Sequence, residues 1–261
     1  MKPPALPTVS IVTPSFNQAR FLESTIQSVL TQDYPRIEYI IVDGGSTDGS
    51  VDIIKKYADK LAWWVSEKDK GQTDAINKGF ARATGGILAW LNSDDTYEPR
   101  AVGKAVKYLL DHPEVGMVYA DCNYIGEDGQ VLGKFPAAQT DYARLRQGYV
   151  HIPQQTMFFR AELWKQVGPL DPSFYFAMDY DLWTRIAEKT AIKYLAGQTW
   201  ANFRMHASGK SMVADDRCWP EMLKVHYRDG GSFFARIVAK YYVRKLVAPV
   251  CNWRRRKILK I

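Results

Sequence analysis

Four short apolar runs of strand type, VSIVT (Val9–Thr13), YIIVD (Tyr39–Asp43), LAWWVSE (Leu61–Glu67) and ILAWL (Ile87–Leu91), alternate with segments whose apolar residues recur at helical spacing. The clearest of these segments runs from Gln18 to Leu30 and carries Phe21, Leu22, Ile26, Val29 and Leu30. Further helices are expected over about Ser50–Ala58, Thr73–Ala83 and Arg100–Leu110. Strands and helices alternating at this interval predict an α/β fold with a parallel, doubly wound sheet.

In open sheets of this kind, ligands sit beyond the carboxyl ends of the strands. Those ends read Pro14-Ser15-Phe16-Asn17, then Asp43, then Glu67 and Asp69, then Asn92-Ser93-Asp94-Asp95. All four deliver polar or acidic residues to one rim. Asp43 is placed either to accept hydrogen bonds from a base or ribose hydroxyl or to stabilise the turn GGSTDGS that follows it. Asp48, inside that turn, suits a cap on the next helix. The adjacent carboxylates of Asp94 and Asp95 would repel each other unless a cation joins them. A hard divalent ion sharing its shell with phosphate oxygens fits that need, and a solvated loop is the structural alternative.

After about residue 115 the pattern changes. MVYADCNYI and QVLGKF flank the turn EDG as a hairpin, and helices are expected near Asp141–Gln147, Ala161–Val167 and Asp179–Lys189. Two strand-like runs follow, AIKYLAG and TWANFRMH. On the helix starting at Asp179, that residue shares a face with Leu182 and Ile186 and points inward, whereas Asp181 is expected to form an exposed ion pair with Arg185. Trp63, Trp64, Trp164 and Trp183 suit either sugar stacking or the core.

The net charge of +7 is unevenly spread. Residues 236–261 hold nine Lys/Arg and no acid, leaving 26 basic against 28 acidic residues in the rest. SFFARIVAKYYVRKLVAPV followed by WRRRKILK reads as a basic amphipathic helix with aromatics, suited to an anionic membrane surface or to packing on the body. Nucleic acid is not an expected partner, because the remaining surface is not basic. The longest charge-free stretch, Pro3–Ala19, contains four prolines and suits no transmembrane helix. Three scattered cysteines, Cys122, Cys218 and Cys251, form no C-x-x-C pair. The expected location is therefore cytoplasmic, peripheral on the membrane's inner face.

The ordered set TPSFNQ, IIVDGGSTDGS, GQTDAINKGFARATGGILAWLNSDD, FAMDYDLWTRIA and NFRMHASGKS resembles glycosyltransferase family 2, over about residues 8–212. The resemblance implies a GT-A fold: a Rossmann-like mixed sheet flanked by helices, here with a C-terminal basic helical extension. It divides the chain into a catalytic domain over 1–212 (8–115 nucleotide-binding, 116–212 on the acceptor side) and a tail over 213–261. It also implies an inverting transferase that uses a nucleotide-diphosphate sugar and Mn²⁺ or Mg²⁺. By position, Thr13, Pro14, Ser15, Asn17, Asp43, Asp74 and Asp94 would contact the nucleotide, with Asp94 at the ribose or the metal. Asp95 and His206 would hold the metal, and Asp179 would be the catalytic base. Lys210 and Ser211 would assist the leaving phosphate. Members often have Glu-Asp at the base, where this chain has Met178-Asp179; the departure removes one carboxylate and keeps the base. The processive Q-x-x-R-W motif is absent, so the implied enzyme is a hexosyl- or N-acetylhexosaminyltransferase adding one sugar, with a glycan or lipid-linked acceptor.

Two rivals share such a sheet. A sugar nucleotidyltransferase would carry a glycine-rich loop after the first strand, and TPSFNQ has no glycine. A non-catalytic nucleotide-sugar-binding protein would not need the retained acids. A P-loop kinase is excluded by the lack of G-x-x-x-x-G-K-[ST].

Overall fold

A computed structural model describes residues 6–210, 218–243 and 245–247. In chain order the first half runs β1 (Val9–Ser15), α1 (Ala19–Leu30), β2 (Ile37–Asp43), α2 (Ser50–Lys56), β3 (Trp63–Ser66), α3 (Gln72–Arg82) and β4 (Ile87–Trp90). Then come β5 (Thr96–Tyr97), α4 (Ala101–Asp111), β6 (Val115–Ile125), β7 (Val131–Lys134), α5 (Tyr142–Leu145), β8 (Phe158–Arg160), α6 (Ala161–Val167), α7 (Met178–Lys189), β9 (Ala191–Arg204) and α8 (Cys218–Arg228).

The strands form a mixed sheet in the order β3-β2-β1-β4-β8-β6-β9-β5, with β7 paired to β6. The expected parallel half is β3-β2-β1-β4, and β1 lies between β2 and β4. β8 then runs antiparallel to both β4 and β6 and joins the two halves. The two runs expected after α7 are one strand, β9. It holds parallel pairing to β6 through register shifts, one of them beside Gly197, whose φ of +75° lets the strand kink.

Side chains alternate between the two faces of the sheet, as strand geometry requires. Val9, Ile11, Ile41, Ile87 and Ala89 meet Leu22, Ile26 and Val29 of α1 and Val102, Val106 and Leu109 of α4. On the other face Val12, Ile40, Val42, Leu88 and Trp90 meet α3, α6 and α7, where Trp183 is buried. Fully burying a Leu or Ile contributes about 1.5–3 kcal/mol, so each core-facing turn of α1 secures its place on the sheet. Helix α3 can lie close to the sheet only because Gly79 has no side chain: a Cβ there would sit 2.4 Å from Val12 Cγ1.

Helix α8 packs on α7, and Val225 is fully buried in the same core cluster. It is anchored there through Asp181, and here the expectation of an exposed Asp181–Arg185 pair needs correction. Asp181 is fully buried, takes Arg185 at 2.7 Å and is also bonded by Arg228 of α8. A buried carboxylate requires such pairing, and two guanidinium groups supply it.

Candidate active site

The carboxyl ends of β1, β2 and β4 converge as the sequence implied, although their residues take different postures. Asp43, fully buried at the end of β2, accepts the Gly45 and Ser46 N–H groups at 3.1 and 2.8 Å. It also takes the Ser46 and Ser66 hydroxyls at 2.5 and 2.7 Å. Both oxygens are thus engaged in holding the turn, of which Gly45 adopts φ +81°. Thr13 turns inward to the Tyr39 hydroxyl at 3.0 Å. Ser15, by contrast, has a buried hydroxyl without a hydrogen-bond partner at the end of β1. Asn17, exposed with φ +51°, accepts the Thr47 N–H at 2.9 Å. Asp48 accepts the N–H groups of Ala19 and Ser50, tying the starts of α1 and α2 together. Asp74 accepts the Lys70 N–H at 3.1 Å and lies 3.3 Å from Lys78.

The adjacent acids after β4 point in opposite senses. Asp95 is fully buried: Oδ1 accepts the Arg204 N–H at 3.0 Å, and Oδ2 accepts the side-chain amides of Gln155 at 2.9 Å and Asn92 at 3.2 Å. Burial, and then the neighbouring charge of Asp94, push its carboxyl well above the usual range. Asp94 is partly exposed, and its Oδ2 lies 3.0 Å from His206 Nε2. The other ring nitrogen of His206 is 2.9 Å from the Ser208 hydroxyl. His206 therefore faces Asp94 and not Asp95. Arg204 secures both acids from behind, donating from Nε to the Asp94 carbonyl at 2.9 Å.

No cluster of three or more His, Cys, Asp and Glu suited to a metal occurs among the described residues. The residues present still fit a Mg²⁺ or Mn²⁺ ion, which is normally held by one or two carboxylates with substrate phosphates completing its shell. Asp94 and His206, whose Oδ2 and Nε2 lie 3.0 Å apart, would offer it an oxygen and a nitrogen ligand. Burial is the larger cause of the rise at Asp95, and the smaller part that comes from the charge of Asp94 is what a neighbouring cation would relieve.

Asp179 lies in the first turn of α7 and accepts the Tyr180 N–H at 2.7 Å. Burial raises its carboxyl to about 6, against the opposing pull of that N–H and of the Lys210 charge. Lys210 donates to Gln72 Oε1 at 2.8 Å, Gln72 donates to Asn92 at 2.7 Å, and Asn92 donates to Asp95. A continuous polar chain thus connects the surroundings of Asp179 with the paired acids. The sequence places Asn92 at this rim as part of a strand end, but its pattern does not mark Gln72, Gln155 or Arg204 as site residues. The adjacent glutamines of IPQQT, which continue an apolar run into the core, were the one available signal. Ser211 lies outside the described residues.

The description "Glycosyl transferase family 2" belongs to the family model that matches residues 10–168. An uncharacterized glycosyltransferase of Mycobacterium tuberculosis is 35% identical over 185 residues, covering 69% of each chain. A PGL/p-HBAD biosynthesis glycosyltransferase of Mycobacterium bovis is 29% identical over 72% of this chain and 73% of its own. Among solved structures, the mannosyltransferase PcManGT of Pyrobaculum calidifontis, in complex with GDP-Man and Mn²⁺, superposes with a TM-score of 0.69. It is 22% identical, over 92% of this chain and 71% of that one. S. aureus TarS 1-349, in complex with UDP-GlcNAc, gives 0.67 at 17% identity, over 90% and 71%. The shared architecture is the GT-A fold.

Proposed function

This chain belongs to glycosyltransferase family 2, and from that premise we propose that it transfers one sugar from a nucleotide-diphosphate donor to an acceptor hydroxyl with inversion, Asp179 acting as the base. The acceptor oxygen forms the new bond to the anomeric carbon as the bond from that carbon to the diphosphate oxygen breaks. The acceptor proton passes to Asp179, and the electron pair leaves with the diphosphate. The observation that carries this reading is the setting of Asp179, partly buried and facing Lys210, with a carboxyl raised to about 6. Such a group is ionised at neutral pH yet is a better proton acceptor than a free carboxylate.

The nucleotide is placed at the rim formed by Pro14, Ser15, Asn17, Asp43 and Asp74. There the unpartnered Ser15 hydroxyl supports a ligand contact, while Thr13, paired within β1 and bonded to Tyr39, holds the end of the strand in place. Asp94 and His206 would hold a divalent cation; Asp95, the ligand expected from the resemblance, has both oxygens engaged by Arg204, Gln155 and Asn92 and instead fixes their loop from behind. When bound, the cation offsets negative charge on the leaving diphosphate. The transferred sugar is a hexose or N-acetylhexosamine, added once, to a lipid-linked or cell-surface polysaccharide intermediate. That acceptor class is supported by the basic, aromatic C-terminal segment, which suits the inner face of a membrane.

The test is a calorimetric titration of nucleotide diphosphates and nucleotide sugars, with and without Mn²⁺. Metal-dependent binding of one nucleotide class is the expected result. Folded protein that binds none of them would make this a non-catalytic relative.

A further inference from the structure

Helix α8 presents Glu221, Val225 and Arg228 along one face, at the i, i+4, i+7 spacing that aligns side chains on a helix. All three engage α7 or the loop leading into it. Glu221 is 7% exposed, and its carboxylate accepts three consecutive backbone N–H groups, from Tyr175 at 3.0 Å, Phe176 at 2.7 Å and Ala177 at 2.9 Å. These lead directly into the N-terminus of α7, which has no capping hydrogen bond from its own N-cap side chain. A carboxylate there meets unsatisfied donors and the positive end of the helix dipole. Arg228 grips the other side of the same turn through the fully buried Asp181, two residues beyond Asp179. The loop that Glu221 holds also carries the rings of Tyr175 and Phe176, whose centroids lie 4.3 and 5.7 Å from the Lys210 ammonium. Lys210 is in turn the cation whose charge acts on Asp179.

We infer that α8 is a clamp on the catalytic helix and that Glu221 is a positioning residue, setting through residues 175–177 the place of both Asp179 and Lys210. The inference rests on the reading of Asp179 as the base. It gives the segment after β9 a role in chemistry, although it lies beyond the residues that the family model matches.

The test uses the full chain with Glu221→Gln and Glu221→Ala. Gln keeps the size of the side chain but accepts through one oxygen only; Ala releases all three N–H groups and admits water to Asp179. The Asp179 carboxyl is followed by carbon-13 NMR across pH, with Asp179→Asn identifying its signal. Its midpoint is expected to fall from near 6 toward the ordinary value of about 4 in the Ala variant, and part of the way in the Gln variant. Turnover of the nucleotide sugar that binds should fall about tenfold or more while its affinity stays within about twofold. A folded Glu221→Gln protein with unchanged midpoint and unchanged turnover would overturn the clamp. Failure of the base assignment reads differently: Asp179→Asn would keep transferring sugar, whatever Glu221 does.

Discussion

Asp179 sets a cost in stability against its proposed role as base. Its carboxyl is raised to about 6 from an ordinary 3.8, so the folded state favours the protonated form. The stabilisation from that preference is fully present below about pH 4 and is lost as pH rises through 6. At pH 8 the ion is held at a loss of about 1–2 kcal/mol, after allowance for its partial exposure. Asp179→Asn is therefore expected to raise the melting temperature at pH 8 and to change it little at pH 4. The same variant should lose transfer by at least about 100-fold while binding the nucleotide normally in calorimetry. Loss of nucleotide binding would place Asp179 in the donor site instead. In the wild type, turnover should fall about tenfold per pH unit below 6, following the ionised fraction. Asp94 and His206 carry a separate expectation. Asp94→Asn or His206→Ala should weaken Mn²⁺-dependent nucleotide binding by about 10–100-fold, and equal affinity with and without metal in the wild type would refute it.

At the level of elements, legibility followed the range of the interactions. Strands β1, β2 and β4 stand out because they are largely buried on both faces and end at turn residues, and the half-buried edge strand β3 through its aromatic, β-branched run, signals contained in a few neighbouring positions. β5 and β8, of two and three residues, are too short to show any period. They exist because β9, β4 and β6 offer them unpaired edges. α8 has an ordinary amphipathic pattern, and its meaning lies in partners some 45 residues away in sequence, which no local pattern encodes. The same holds in the site. Asp43, Asp94 and Asp95 were legible as strand-end acids, whereas the inward turn of Asp95 depends on Gln155 and Arg204, about 60 and 110 residues further along the chain. Packing of α3 on the sheet supplies an element-scale test. Gly79→Ala brings a Cβ to 2.4 Å from Val12 and should destabilise the fold by about 1–3 kcal/mol in urea unfolding. A neutral result would mean that α3 shifts freely, with Asn77 and its hydrogen bonds to Leu170 moving along with it.

At the scale of the whole molecule, the basic charge coincides with a cluster of exposed apolar side chains in the described part of the C-terminal segment. Without residues 236–261 the net charge changes from +7 to −2, so attraction to an anionic surface resides almost wholly in that segment. Its described part docks on the body through the buried Ile237 and Val238, with Ile237 packed against Gly148. Phe233, Phe234, Val243 and Leu246 remain outward, Phe234 at 94% exposure, beside the exposed Arg236, Lys240 and Lys245. The run WRRRKILK, expected to continue this face, lies outside the described residues. No helix among the described residues is long and apolar enough to cross a membrane, so the proposed attachment is interfacial. Each basic residue near an anionic surface contributes about 1 kcal/mol, and the attraction fades with added salt. Full-length protein should therefore sediment with phosphatidylserine vesicles, and less so with neutral ones. Chain ending at Gly231 keeps α8 and its clamp; it should stay in the supernatant yet still bind nucleotide. Changing Phe233 and Phe234 to serine should weaken sedimentation with the charge untouched, separating insertion of the rings from electrostatic attraction. Should the shortened chain sediment as well as the full one, the aromatic and basic end belongs to the packing of the body, and the lipid-linked acceptor loses its main support.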